Sequence, residues 1–216
     1  KDILEFGING DPEWLEFAMD VRETIPLIEK EANLIDKKYV SPHLFVQWLS
    51  ENTKDDVVIP CSSGGAFTTM MQVFEQKANQ KIVTNKGLAS MGYGLSGAIG
   101  ASIANPDKRT VLVEGDGGFA QNLQELGTVA ANNCNMKIFV FDDAGHASIR
   151  MTQRNYFSGK YVGCDRDTGL GLPEWERLFP AWGIPFCVIN DSTELKKINE
   201  LFDEEGPAAF VIKINP

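Results

Sequence analysis

The sequence predicts one α/β domain with a parallel six-stranded sheet and helices on both faces. Short apolar runs alternate with amphipathic segments from Val40 to the end of the chain. A glycine-rich turn follows one of these runs, after Val113. A chain of 216 residues is also long enough to bury the core of such a domain. Strands that alternate with helices form parallel sheets, because each parallel pair needs a crossover connection.

The N-terminal residues 1–38 differ from the rest of the chain. Large apolar residues lie there among acidic ones, at Trp14, Phe17, Val21, Ile25 and Ile28. Their spacing predicts one or two amphipathic helices, broken near Pro12 and Pro26. No site motif occurs in this segment. We therefore interpret it as a helical linker and expect the α/β domain to occupy residues 39–216. Because the chain begins at Lys1, we expect it to be a fragment or processed product of a longer protein.

Six strands and seven helices are predicted in the α/β part. The strands are Val57–Ile59, Lys81–Val83, Val111–Val113, Lys137–Phe141, Phe186–Ile189 and Ala209–Ile212. The helices cover residues 42–49, 67–74, 90–104, 121–132, 145–157, 174–182 and 193–202. Ser41-Pro42 is typical of an N-cap followed by the first helical position. Ligands of parallel sheets bind at the carboxyl ends of strands, so the loops there are the candidate sites.

Composition excludes several functional classes. The net charge is −10 and no basic stripe occurs, which excludes a nucleic-acid partner and disfavours anionic membranes. No apolar run reaches membrane-spanning length. The four cysteines form no C-x-x-C pair, so we expect free thiols in a cytoplasmic protein rather than a zinc site.

The loop after Val113 has the composition of a phosphate site. It reads G-D-G-G-F over residues 115–119, and glycines allow close approach of a phosphate to the backbone and to a helix N-terminus. A bare carboxylate at Asp116 would repel that phosphate by roughly 4 kcal/mol, for unit charges about 4 Å apart at an effective dielectric near 20. A divalent cation reverses the sign of this interaction, and oxygen ligands favour magnesium or calcium.

A second acidic turn follows the next predicted strand, at Asp142-Asp143. Adjacent parallel strands would bring this turn beside Asp116. The tight loop that continues to Gly145 offers a backbone carbonyl as a further ligand. Asp116, Asp143 and the Gly145 carbonyl are therefore the candidate metal ligands, with phosphate oxygens and water completing the shell.

Two other interpretations of these loops stay open. Residues 115–120 also fit G-x-G-x-x-A, with Asp142 where a ribose-binding acid would lie in an NAD site. That interpretation places Asp116 inside the pyrophosphate turn and leaves the next motif unexplained. The other is a glycine-rich turn with solvated acids.

A motif of small residues precedes these loops and reads G-L-A-S-M-G-Y-G-L-S-G-A-I-G over residues 87–100. A tightly packed core helix explains Gly97 and Gly100, but it explains Gly87, Met91 and Gly92 less well. Met91 is a soft apolar side chain suited to supporting a ring.

Together these motifs resemble thiamine-diphosphate-dependent enzymes, and specifically the C-terminal part of acetolactate synthase catalytic subunits. That family carries G-D-G, then N-N about two dozen residues later. Here G-D-G at 115–117 and D-D at 142–143 are separated by residues 118–141. The sequence N-L-Q-E-L at 122–126 is similar to the pattern after G-D-G-S-F in acetolactate synthases.

The upstream motifs extend the resemblance to about residues 40–215. Residues 87–100 resemble the family's G-L-G-T-M-G-Y-G-L-P-A-A-I-G. S-S-G-G at 62–65 stands where the family has D-x-G-Q. The combined spacing is far more specific than any single motif.

The resemblance implies a role for each matched residue. Asp116 and Asp143 would bind Mg²⁺ by side chain and Gly145 by its carbonyl, and the Ala89 carbonyl would accept a hydrogen bond from the aminopyrimidine. Met91 would lie beneath the cofactor and hold its bent conformation. The full set of implied cofactor-binding residues is Ser62, Ser63, Gly64, Gly65, Ala89, Ser90, Met91, Gly115, Asp116, Gly117, Gly118, Asp143, Gly145, His146 and Ala147.

The implied function is decarboxylation of a 2-oxo acid with carbon–carbon ligation, as in acetolactate synthases. Related decarboxylases or lyases, a non-catalytic cofactor-binding module and an NAD-binding domain are the alternatives.

The chain departs from the family pattern at several positions. The family's second Asn is Asp143 here, which adds a negative charge, and we expect binding to survive because Asp is also an oxygen ligand. Acetolactate synthases have a Trp that shapes the pocket for the acceptor substrate, and this chain has Thr152 there. Pyruvate-decarboxylase-like members of the family carry a Glu near the position of Ile149. Its absence here favours carbon–carbon ligation or lysis over simple decarboxylation.

The family's catalytic glutamate belongs to a separate pyrimidine-binding domain, and nothing in this chain resembles that domain. We therefore expect a partner domain in cis or trans, a homodimer or homotetramer, and weak cofactor binding with little turnover by this chain alone. These motifs do not indicate whether the protein also binds FAD. His146 is a candidate acid or base, with a backbone-bonded loop histidine as the alternative. Arg150 or Arg154 could meet a substrate carboxylate, with surface charge as the alternative.

Overall fold

The computed structural model describes residues 10–33, 38–61, 63–85 and 87–216. Its centre is a six-stranded sheet in which every pairing is parallel, in the order β2-β1-β3-β4-β6-β5. The strands are β1 (Val57–Pro60), β2 (Lys81–Ile82), β3 (Thr110–Gly115), β4 (Met136–Asp142), β5 (Phe186–Ile189) and β6 (Ala208–Lys213). The predicted fold class, a parallel six-stranded sheet with helices on both faces, is confirmed.

The helices connect these strands as crossovers. They are α1 (Pro12–Thr24), α2 (Lys30–Asn33), α3 (Pro42–Asn52), α4 (Gly64–Val73), α5 (Tyr93–Ala104), α6 (Asp116–Phe119), α7 (Leu126–Ala131), α8 (Ala147–Tyr156), α9 (Trp175–Ala181) and α10 (Asn199–Phe202). Three 3₁₀ segments occur at Ala120–Glu125, Arg166–Thr168 and Ser192–Ile198. Ser41 caps α3, as predicted, and its hydroxyl oxygen accepts a hydrogen bond from the Leu44 amide at 3.4 Å.

The sheet separates two apolar cores, because successive side chains of a strand point to opposite faces. On one face, Phe139 and Phe210 stack with ring centroids 4.7 Å apart and pack under α3 and α4. On the other face, Ile138 and Val211 pack against α5, α7 and α9. Because helices cover both faces of the sheet, the ends of the strands are the part of the sheet that a ligand can reach.

The N-terminal segment contains the two helices α1 and α2. Helix α1 begins at Pro12, whose N-cap Asp11 accepts hydrogen bonds from two backbone amides, and no residue of the helix is buried. Trp14 is 67% exposed and Phe17 is 63% exposed, so the apolar side of α1 lies in solvent. Ile28 does pack against the core. The predicted division at residue 38 lies beside positions 34–37, which are outside the described residues.

Two elements differ from prediction in a physically informative way. The predicted helices 121–132 and 193–202 both begin as 3₁₀ segments and become α-helical only at Leu126 and Asn199. Asn122 has non-helical torsions because its side-chain amide donates to the Gly92 carbonyl and to the Ser96 hydroxyl, both at 3.0 Å. A tertiary contact therefore overrides the local helical pattern.

Candidate functional site

A cleft of about 250 Å³ lies at the carboxyl ends of β1, β3 and β4. Its walls contain most of the predicted site residues: Ser63, Gly64, Gly65, Ala89, Met91, Gly115, Asp116, Gly117, Gly118, Asp143, Gly145, His146 and Ala147. Ser90 is exposed and does not line the cleft, and Ser62 lies outside the described residues. The topology alone brings these loops together, because β3 pairs with both β1 and β4.

Asp116 is the buried centre of the cleft, with a residue exposure of 1%. It follows β3 directly, and its carboxylate accepts hydrogen bonds from the Gly117 amide at 2.6 Å and the Gly145 amide at 2.8 Å. Burial, together with repulsion from Asp143, raises the pKa of Asp116 to about 8. Loss of water is the main cause, since burial penalises the charged form. The ionised form therefore needs a nearby positive charge.

Asp143 faces the same cleft from the end of β4. Burial raises the pKa of its carboxyl to about 6, although the neighbouring Arg150 guanidinium lowers it. The Asp143 Oδ1 atom is buried and has no hydrogen-bond partner among the described residues. The nearest cation is the Arg150 Nη2 atom at 3.5 Å, and a bound metal ion would stabilise this buried carboxylate further.

Asp142 does not line the cleft. Its carboxylate forms an ion pair with Lys213 at the end of β6, and its carbonyl accepts from the Ile214 amide at 3.1 Å. In the NAD interpretation Asp142 would bind a ribose, but its carboxylate is already paired with Lys213. Of the two adjacent aspartates, the structure turns Asp143 towards Asp116.

The loop between β4 and α8 can form only with glycine at position 145. Gly145 has φ +137°, and a Cβ there would lie 2.2 Å from the Cys164 carbonyl oxygen. The preceding Ala144 also has a positive φ of 61°. Such conformations cost free energy and persist where the surroundings impose them. Here these two backbone conformations allow the Gly145 amide to donate a hydrogen bond to the Asp116 carboxylate.

His146 covers the glycine turn that follows Asp116. An added Cβ at Gly117 would lie 2.1 Å from the His146 Nδ1 atom, so the imidazole occupies the space above that glycine. Burial and the charge of Arg150 lower the pKa of His146, which favours the neutral ring. The backbone of His146 is fixed as well, since its amide donates to the Cys164 carbonyl at 2.7 Å.

Glu114 is a site residue that the sequence reasoning missed. It lines the cleft, is 2% exposed, and burial raises its pKa to about 7, although the Leu95 and Gly94 amides lower it. Those amides open α5, whose N-cap Gly92 provides no side-chain cap. The signal available in the sequence was a charged residue at the end of an apolar strand.

The upstream side of the cleft is formed by Met91 and Ala89. Met91 is 40% exposed although it is a large apolar side chain, and Ala89 has a positive φ of 50°. Both residues precede α5 and line the cleft. An exposed thioether at the mouth of a cleft is available to contact a ligand.

The donor set of the cleft suits a cation shared with a ligand. No group of three His, Cys, Asp or Glu residues that could hold a metal occurs in ranges 10–33, 38–61, 63–85 and 87–216. Two carboxylates and loop carbonyls are present, and oxygen ligands of this kind suit Mg²⁺. A metal here would therefore draw further oxygens from a bound anion and from water. Within the same described part of the chain, no helix is long and apolar enough to cross a membrane.

Known proteins are similar in sequence over most of the chain. The chain is 30% identical to "Acetolactate synthase 3, chloroplastic" of Brassica napus over 213 residues, which is 94% of this chain and 31% of that protein. It is 28% identical to "Probable acetolactate synthase large subunit" of Methanococcus aeolicus, covering 96% of this chain and 35% of that protein. The chain thus spans about a third of the length of these two relatives.

A solved structure shows the same fold. The "Rhodococcus jostii RHA1 thiamine diphosphate-dependent 4-hydroxybenzoylformate decarboxylase" superposes with a TM-score of 0.74 and 16% identity, covering 88% of this chain and 36% of that chain. The family model "Thiamine pyrophosphate enzyme, C-terminal TPP binding domain" matches residues 63–212, which hold the whole described cleft apart from Ile214. The chain therefore belongs to the family of C-terminal thiamine-pyrophosphate-binding domains of thiamine pyrophosphate enzymes.

Proposed function

We propose that the chain binds the diphosphate group of thiamine diphosphate through Mg²⁺, within an enzyme that acts on 2-oxo acids. The observation that carries this proposal is the pair of buried carboxylates at the ends of β3 and β4. Asp116 and Asp143 both have raised pKa values, and Asp143 Oδ1 has no hydrogen-bond partner among the described residues. A divalent cation would stabilise both charges, and the Gly145 carbonyl would be its third protein ligand.

Two backbone segments are suited to the phosphate oxygens. Helix α4 begins at Gly64, and its N-cap Ser63 makes no side-chain hydrogen bond to the first turn. The first turn of α4 and the turn at Gly117-Gly118 face the same cleft. Free amides at a helix N-terminus favour anions, so a diphosphate would bridge the two segments. This local arrangement suits a chain whose net charge of −10 would repel anions at longer range.

The remaining wall fits the rings of the cofactor. Met91 would support the thiazolium from below, and the Ala89 carbonyl would accept a hydrogen bond from the aminopyrimidine. When bound, thiamine diphosphate supplies an electron sink for decarboxylation of a 2-oxo acid. His146 lies over the Gly117 turn, and its lowered pKa favours the neutral ring, which would be available as an acid or base within the cleft.

The cleft is small for a complete cofactor site. Its volume of about 250 Å³ is below the usual range for small-molecule sites. We infer that a pyrimidine-binding domain, in cis or in trans, covers the other side within a homo-oligomer. The relatives' printed names favour an acetolactate-synthase-like ligation. A decarboxylase or lyase that uses another acceptor is the second candidate, favoured by the structural likeness to a decarboxylase.

A ligand titration tests the proposal. Thiamine diphosphate and NAD are each added to the chain with Mg²⁺ and with EDTA, and the thermal unfolding midpoint is followed. A ligand at about 100 times its Kd stabilises the native state by about 2.7 kcal/mol, so binding would raise the midpoint measurably. We expect stabilisation by thiamine diphosphate only with Mg²⁺. Stabilisation by NAD, or by thiamine diphosphate equally in EDTA, would contradict the proposal.

A further inference from the structure

Arg150 occupies an unusual position behind the proposed cation site. It belongs to α8, yet its side chain is only 17% exposed and turns back to the β4–α8 loop. One guanidinium nitrogen, Nη2, donates to the Asp143 carbonyl at 2.6 Å. The other, Nη1, lies 3.3 Å from the carbonyl oxygens of Ala144 and Cys164. A single side chain thus binds three backbone carbonyls around the loop.

The same guanidinium lies beside the carboxylate of Asp143. The Nη2 atom is 3.5 Å from Asp143 Oδ1, and both side chains are largely buried. At 3.5 Å the contact is longer than an ordinary N–H···O hydrogen bond, so it is an ion pair with a weak hydrogen-bond component. Arg150 can therefore offset the charge of Asp143 without a short hydrogen bond to its carboxylate.

We propose that Arg150 is a positioning residue of the cation site, which holds the Asp143–Gly145 loop and neutralises the additional charge of Asp143. The inference rests on the proposed function. With an asparagine at position 143, the loop would carry no charge of its own, and the guanidinium would have nothing to neutralise. With Asp143 and Arg150 together, the two charges cancel, as they would with a neutral asparagine at position 143. The guanidinium is suited to this because its planar fork can reach several oxygens at once.

A double-mutant cycle tests the charge function. The four chains are the wild type, Arg150→Met, Asp143→Asn and the double variant, and calorimetry measures the affinity for thiamine diphosphate with Mg²⁺. We expect Arg150→Met to weaken binding about tenfold when Asp143 is present. In the Asp143→Asn background, where position 143 carries a neutral amide, the same substitution should weaken binding about twofold or less, a coupling in the range seen for contacting residues. Equal losses in both backgrounds, or no loss in either, would overturn the charge function.

A matched control lies one helical turn further along α8. Arg154 has the same charge but is exposed, and no described contact engages its side chain. Arg154→Met should leave the affinity within about twofold of the wild type. An effect of Arg154→Met as large as that of Arg150→Met would mean that only the overall charge matters, which contradicts a positioning role.

The positioning function has a readout that needs no ligand. The amides of Gly145 and His146 donate to Asp116 and to the Cys164 carbonyl, so hydrogen exchange reports whether this loop holds its shape. We expect Arg150→Met to accelerate exchange at these two amides about tenfold, with Arg150→Lys intermediate, while the β4 amides stay protected. Unchanged exchange would overturn the positioning function. If the wild type binds no thiamine diphosphate with Mg²⁺, the proposed function fails, whereas hydrogen exchange still decides the positioning of the loop.

Discussion

At the scale of single residues, the cleft concentrates acids that are poorly stabilised as anions. Glu114, Asp116 and Asp143 are all removed from water at one edge of the sheet, and each has a raised pKa. Asp142, by contrast, forms an ion pair with Lys213. The three acids with raised pKa values therefore mark where the molecule is suited to receive positive charge.

Replacing Asp116 by asparagine should remove ligand binding without lowering the stability of the fold. Asp116→Asn should abolish the Mg²⁺-dependent stabilisation by thiamine diphosphate, because an amide is a weaker ligand for a hard cation. The ligand-free variant should be at least as stable as the wild type at pH 7, since no buried charge is then required. Thermal unfolding with and without ligand measures both. Asp142→Asn is the matched control and should keep the response to ligand.

Position 145 allows a direct test of the loop geometry. Gly145→Ala should lower the free energy of unfolding by about 3 kcal/mol, because the added Cβ meets a backbone carbonyl and the φ value is unfavourable for alanine. Urea denaturation of the ligand-free chain measures the change. Gly171→Ala is the control, because nothing lies within 4 Å of a Cβ there, and we expect a change below about 1 kcal/mol. Equal effects of the two substitutions would refute this account of the loop.

At the scale of elements, the strands were the most predictable part of the fold. The predicted Phe186–Ile189 matches β5, and the other runs lie within two residues of the observed ends, because the apolar strands of a buried parallel sheet are recognisable locally. The 3₁₀ starts at Ala120 and Ser192 were not predictable. They depend on contacts between distant segments, such as Asn122 with Gly92, which no local pattern contains.

The candidate site was predictable to a similar extent. Asp116, Asp143 and Gly145 came from the spacing of strand ends, and the structure brings all three to one cleft. Glu114 and the loop contacts of Arg150 were missed because both depend on which way a side chain turns. The predicted roles of these residues stay predictions until a ligand has been tested.

The exposed helix α1 leads to a prediction about truncation. A chain that begins at Leu27 should unfold within about 3 °C of the full chain, because α1 has no buried residue and its ion pair between Arg22 and Glu75 is exposed. Thermal unfolding of both chains measures this. A chain that begins at Pro42 is the contrast. It lacks Val40, which is 1% exposed, and should be clearly less stable.

At the scale of the whole molecule, the raised pKa values predict how stability depends on pH. The pKa of Glu114 rises from 4.5 to about 7 on folding and that of Asp116 from 3.8 to about 8. The folded chain therefore binds more protons than the unfolded chain, so the stability present at low pH is lost as the pH rises through this window. Other carboxylates with lowered pKa values act in the opposite direction below about pH 5, so the loss should be clearest between about pH 5 and 7, where both acids are ionised in the unfolded chain and still largely protonated in the folded chain.

A single substitution isolates the contribution of Glu114. Glu114→Gln should flatten the decline of the unfolding free energy between about pH 5 and 7, where the wild type loses on the order of 3 kcal/mol through this group. Urea denaturation of the ligand-free chain at several pH values measures the slope. A variant that declines as steeply as the wild type would show that Glu114 ionises freely in the folded chain.

Asp116 accepts hydrogen bonds from the loops after both β3 and β4, so folding itself joins the two halves of the cleft. An incoming ligand should then meet a preorganised receptor rather than a pair of separate loops. Little conformational entropy would remain to be lost on association. The apoprotein should consequently capture its ligand rapidly, with an association rate that reports diffusion and not a preceding rearrangement.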